Sequence, residues 1–153
     1  MKKFIITDPC YLIPDPEAWY CFCNIIQDIS MAEAENFLTH YLATPVRIAK
    51  TGYGDWSNEI SGKNVIEPNF FADAGLVCVL ELTHLVDQMH KSKFDYLISD
   101  NPCGVAVIEA EGLADVRFDI SDSRWTVVTI IDTDGNVYRS STFKDRFGIE
   151  DCE

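Results

Sequence analysis

Trp125-Thr126-Val127-Val128-Thr129-Ile130-Ile131 and Val137-Tyr138-Arg139-Ser140-Ser141-Thr142-Phe143 flank the segment Thr133-Asp134-Gly135-Asn136. Both runs are rich in β-branched and aromatic residues, which suit a pleated, half-buried surface. Asp-Gly supplies the positive φ that a tight connection needs, so the stretch predicts a C-terminal β-hairpin. Strand patterns continue upstream. Val116-Arg117-Phe118-Asp119-Ile120 alternates, as expected of a strand with one wet face. Val105 to Ile108 and Leu76-Val77-Cys78-Val79-Leu80 are unbroken apolar runs, the mark of strands covered on both faces.

Towards the N-terminus the period changes. Trp19, Phe22, Cys23 and Ile26 recur at the spacing of one helical face, in a helix opened by Asp15-Pro16-Glu17. Ser30, with Glu33 three residues on, forms a capping box for a second helix, whose inner face carries Met31, Ala34, Leu38, Tyr41 and Leu42. Thr44-Pro45 ends it, because the residue before proline avoids the helical region. Residues 4–7 and 10–13 predict a strand interrupted at Asp8-Pro9, and Val46 to Ala49 predicts another. Gly52-Tyr53-Gly54-Asp55 reads as a turn, residues 56–60 as a returning strand, Asn58 to Asn69 as loop, and Thr83 to His90 as a short helix. The expected fold is a single α+β domain over residues 1–153: two N-terminal helices on an antiparallel or mixed β-sheet, closed by a C-terminal hairpin.

The chain has 153 residues, 47% of them hydrophobic, enough to bury about 70% of its unfolded surface. Six cysteines stand at positions 10, 21, 23, 78, 103 and 152. The basic opening Met1-Lys2-Lys3 precedes only a three-residue apolar run, which does not make a signal peptide. The longest apolar run, Gly75 to Leu80, is far short of a membrane span. These features predict a cytoplasmic chain with reduced cysteines and no membrane association.

The formal charge is −13, with 10 acids against 5 bases up to Leu76 and 15 against 7 beyond it. The excess is therefore spread along the chain. Direct binding to nucleic acid is disfavoured, because it needs a cationic footprint. Two readings remain: solubility, or an acidic face that meets a basic partner. Oligomeric state is left open.

No cofactor or metal pattern stands out. Cys21 and Cys23 face about 200° apart on a helix, and no second pair has zinc spacing. Asp132-Thr133-Asp134-Gly135 has the start of a calcium loop, but Phe143 stands where the closing glutamate belongs. Cys10 and Cys103, with His40, His84 and His90, lack the local signatures of cysteine hydrolases. Three turns bring aspartates to strand boundaries: Asp8-Pro9-Cys10-Tyr11, Gly52-Tyr53-Gly54-Asp55-Trp56 and Ala72-Asp73-Ala74-Gly75. Asp, Pro and Gly are ordinary turn chemistry. If the strand ends converge, however, Asp8, Asp55 and Asp73 with Tyr11 and Trp56 would line a ligand pocket, as in a small-ligand binder or a hydrolase-type enzyme.

The same landmarks carry a resemblance. Ile6-Thr7-Asp8-Pro9-Cys10-Tyr11, Thr51-Gly52-Tyr53-Gly54-Asp55 and Asp73-Ala74-Gly75 resemble a group of small uncharacterised phage and bacterial proteins. Those proteins have a DPCY opening, a GDG turn and a D-[AS]-G strand start. The likeness covers the chain as far as Leu82, and Trp56 replaces the usual glycine. The group has no settled activity. What the resemblance implies is an intracellular protein carried by a phage or mobile element, here expected to act as an inhibitor or decoy of a basic host protein.

Overall fold

The computed structural model describes residues 1–28, 31–50, 56–72, 75–81, 104–120 and 126–142. Strand β1 (Lys2–Thr7) is followed by a 3-10 turn (Pro9–Tyr11), helix α1 (Pro16–Asp28) and helix α2 (Met31–Leu42). Nine strands follow among the described residues: β2 (Val46–Lys50), β3 (Trp56–Ser61), β4 (Val65–Glu67), β5 (Asn69–Ala72), β6 (Leu76–Glu81), β7 (Val105–Ala110), β8 (Leu113–Ile120), β9 (Thr126–Asp132) and β10 (Val137–Thr142). They form two five-stranded sheets, one ordered β2-β6-β1-β7-β4 and the other β5-β3-β10-β9-β8. Every pairing is antiparallel.

Alternation within the first sheet creates two cores. Ile5, Ile48, Cys78, Leu80, Val105 and Val107 point to the helices and pack with Phe22, Ala34, Leu38 and Leu42. Phe4, Ile6, Val77, Val79, Ala106 and Ile108 point the other way, onto Ile60, Phe70, Val128, Ile130 and Tyr138 of the second sheet. The molecule is thus layered as helices, central sheet and outer sheet. The unbroken apolar runs of β6 and β7 belong to the layer covered on both faces. The α+β arrangement expected from the sequence is present, with its helices on one face of an antiparallel sheet and a second sheet on the other.

Two local expectations need correction. Residues 10–13 do not continue a strand: Asp8 turns the chain into the 3-10 turn, where Leu12 N–H donates to Pro9 O at 2.9 Å. Asn58 to Asn69 is not loop but the end of β3, all of β4 and the start of β5. The chain crosses from outer to central sheet at Gly62 and returns through Pro68, whose carbonyl accepts from Ile60 N at 2.6 Å. Gly62 has φ +145°, and a Cβ there would sit 2.8 Å from Val137 O and 2.9 Å from Tyr138 Cδ2. The expected short helix over Thr83 to His90 lies outside the described residues.

The β9–β10 hairpin closes through Thr133 to Asn136, with Gly135 at φ +88° and Gly135 N–H donating to Asp132 O at 3.0 Å. Asp132 is buried beneath it. Its carboxylate accepts from Asp134 N (2.9 Å), Asn136 N (2.9 Å), Asn136 Nδ2 (3.0 Å) and Tyr138 Oη (2.9 Å). Burial alone would push this carboxyl up; the bonds from Asn136, Tyr138 and Asp134 outweigh it and hold the group below its ordinary value. Burial, then the hydrogen bond to Asp132 and its charge, pushes the Tyr138 phenol up to about 12.

The central sheet's β2 edge is closed by α2. Thr39 Oγ1 accepts from Val46 N at 3.1 Å, and Glu35 Oε2 accepts from Ile48 N at 2.8 Å. A helix covering an edge removes a template for pairing with another chain.

Replacing Asp132 by Asn should cost about 2–3 kcal/mol in urea unfolding at neutral pH, because buried donors lose a charged acceptor. Asp132 has a lowered folded pKa, so its contribution is present above about pH 4 and lost as pH falls through the folded value. The wild type should therefore lose stability below pH 4 more steeply than D132N. Tyr138 has a raised folded pKa, so its contribution holds below about pH 10 and fades as pH rises towards about 12. Y138F should show a flatter alkaline limb. At the β2 edge, E35A should cost about 1–3 kcal/mol. E35A/T39V should also aggregate faster than the wild type by light scattering at equal folded fraction.

Candidate functional site

The first of the three aspartate turns is well described. Thr7 ends β1 with its hydroxyl donating to Gly104 O at 2.7 Å. Asp8 is extended (φ −75°, ψ 142°), and Pro9 at the next position presets the turn. The Asp8 carboxylate accepts from Cys10 N at 2.8 Å, and the side chain is wholly buried. Tyr11, half-buried, lies over Gly104: a Cβ there would meet Tyr11 Cζ at 3.0 Å. Glycine at 104 therefore lets the phenol ring rest on backbone.

Asp8 serves this turn as its N-terminal cap, a structural use of the carboxylate. Trp56 heads β3 opposite Ala72 of β5. Asp55 and Asp73 lie outside the described residues. The structure therefore brings together Asp8, Tyr11 and Gly104.

Cys78 faces Thr7 across the β1–β6 ladder and is fully buried. Burial pushes its thiol well up, and the charges of Asp8, Glu35 and Cys10 push it further. It is a small apolar filler, protonated at neutral pH. Burial also raises the Cys23 thiol. Cys10 and Cys21 are exposed, whereas Cys103 lies outside the described residues.

The outer face of α2 carries a further feature that the sequence pattern does not mark. Glu33, Phe37 and Tyr41 form one ridge at four-residue spacing, and Asn36 and His40 form the next. Together they line an open groove of about 520 Å3. Its floor belongs to an aromatic ladder between the helices. Trp19 and Phe22 have ring centroids 5.8 Å apart, Phe22 and Phe37 6.0 Å, and Phe37 and Tyr41 6.1 Å with planes inclined by only 7°. Phe22 is fully buried, so the ladder runs from core to surface. The signal in the sequence is Phe37 and Tyr41 one turn apart; Tyr41 packs against the helical core, as its spacing with Leu38 and Leu42 implies, and also reaches the groove with Phe37.

A smaller cavity of about 220 Å3 lies where β1, β2 and β6 meet the start of β8. Its cations are matched by acids: Lys2 lies 3.7 Å from Glu81, and Arg47 3.8 Å from Asp115.

Among the described residues, no group of three or more His, Cys, Asp or Glu side chains is placed to hold a metal ion. No helix among them is long and apolar enough to cross a membrane. Compared with protein-family models, curated proteins and solved structures, the chain matches none of them.

Brief treatment of native protein with a thiol reagent at pH 8, followed by peptide mass spectrometry, should label Cys10 and Cys21. Cys78 should remain unlabelled until the protein unfolds. Asp8→Ala should cost about 1–2 kcal/mol by chemical denaturation, with Asp8→Asn, which keeps an acceptor for Cys10 N, costing less.

Proposed function

We propose that this protein is an acidic binding or modulating protein without catalysis of its own, whose helical layer docks on a basic surface of a partner protein. The observation that carries this reading is a charge gap. No Lys or Arg occurs between Lys3 and Arg47, while Asp8, Asp15, Glu17, Asp28, Glu33 and Glu35 do. That gap spans both helices. Asp8 is buried and Glu35 is tied to β2, but Asp15, Glu17 and Glu33 are exposed. The outer sheet and its turns differ, mixing exposed Lys63, Arg117 and Arg139 with Asp115 and Asp134. Acidity that is diffuse along the sequence is thus single-signed on the two helices, among the described residues.

A single-signed face steers association with an oppositely charged partner and repels like-charged ones. Tyr20, 69% exposed on α1, adds an amphipathic anchor of the kind enriched at interfaces. The partner class is a basic protein, including one whose own ligand is nucleic acid. With the resemblance to phage-borne proteins, the reading becomes an inhibitor or decoy of a host protein in the cytoplasm.

Immobilised protein should retain a basic partner from host lysate at ~50 mM salt and release it by ~500 mM, where screening shortens the Debye length to a few ångströms. Polyanionic DNA should compete for that partner, and D15N/E17Q/E33Q should reduce its association rate about tenfold or more. Failure to retain a basic partner under either salt condition would overturn the reading.

A further inference from the structure

We propose that the α2 groove between Glu33 and Tyr41 seats an arginine side chain of a basic partner segment, with its guanidinium over the Phe37 and Tyr41 rings and turned towards the Glu33 carboxylate. This inference rests on the docking reading above and names the chemistry at its centre.

The groove offers three things that a guanidinium uses. The nearly parallel rings of Phe37 and Tyr41 present π surface for a planar cation. Glu33 stands one turn N-terminal to Phe37 on the same ridge and is exposed. Asn36, also exposed, adds an amide carbonyl acceptor on the neighbouring ridge. None of the five lining residues is Lys or Arg. A volume of about 520 Å3 accommodates the guanidinium together with its aliphatic stem.

Arginine fits this set better than lysine. Its planar, delocalised cation stacks on aromatic faces and meets a carboxylate through paired N–H donors. An ammonium is a compact, strongly hydrated charge that draws less from the rings. The rings are also held in place. Phe37 contacts Phe22, which is fully buried between the helices and the central sheet, so little side-chain freedom remains to be lost when a ligand stacks.

The test is calorimetric titration of the full chain with two peptides of equal length and charge, nona-arginine and nona-lysine, at low and moderate salt. Nona-arginine should bind about tenfold more tightly. F37L and Y41L should each erase most of that preference while leaving the salt-dependent binding of nona-lysine in place. N36K, which replaces an exposed acceptor of the groove wall with a cation, should weaken nona-arginine about tenfold or more without altering the circular dichroism spectrum. Equal affinities for the two peptides, or an arginine preference that survives F37L, Y41L and N36K, would overturn the groove assignment and leave the acidic docking face standing. Absence of binding by either peptide would overturn both.

Discussion

The central sheet has both faces buried, and the rest of the structure follows from that constraint. A strand covered on both sides needs apolar residues at every position, as in Leu76 to Leu80 with Leu76, Cys78 and Leu80 towards the helices and Val77 and Val79 towards the outer sheet. Once such strands pair, neither face tolerates water, so one layer must cover each side. The two helices cover one and the outer sheet covers the other. Removing Phe22, the largest fully buried side chain of the helical core, would cost about 3–5 kcal/mol and loosen the helices from the sheet.

The sequence made some of this legible for specific physical reasons. Helix period is strong in α1 and α2 because each buries one stripe only. The β9–β10 hairpin was readable because Asp-Gly admits few backbone geometries. The second sheet was not evident, because the crossing segments Ser61 to Asn64 and Glu67 to Asn69 carry turn residues within short strands, a pattern that also describes a loop. The existence of β4 depends on a long-range pairing, Val65 with Ile108, which no local window contains. Asp132 resembled the first ligand of a calcium loop, but its carboxylate is occupied by the hairpin's own donors. The candidate site divides in the same way. Asp8 in the first turn was recognisable as turn chemistry, and it does cap the turn. The groove on α2 required knowing which side of Phe37 and Tyr41 remains uncovered.

Charge shows how a one-dimensional count can mislead. Halves of the chain with similar acidic excess suggest an even distribution, yet the cation-free interval between Lys3 and Arg47 contains both helices of one layer. The acids within it take different roles. Glu35 faces inward enough to accept from Ile48 N, whereas Glu33, two residues earlier, lies in the exposed groove. Two residues along a helix is about 200° of rotation, so neighbours of identical chemistry serve opposite faces.

α2 therefore couples edge closure to the proposed recognition. Its Glu35 and Thr39 hold β2, its Ala34, Leu38 and Leu42 fill the core, and its Glu33, Phe37 and Tyr41 frame the groove. A ligand on the groove would contact rings continuous with Phe22 and would bind only when α2 is seated on the sheet. Binding to the folded state alone raises stability by mass action. The helix whose side chains shield the β2 edge would then be held most firmly when its outer face is occupied. An acidic face on this helix can consequently serve recognition without exposing the edge beneath it.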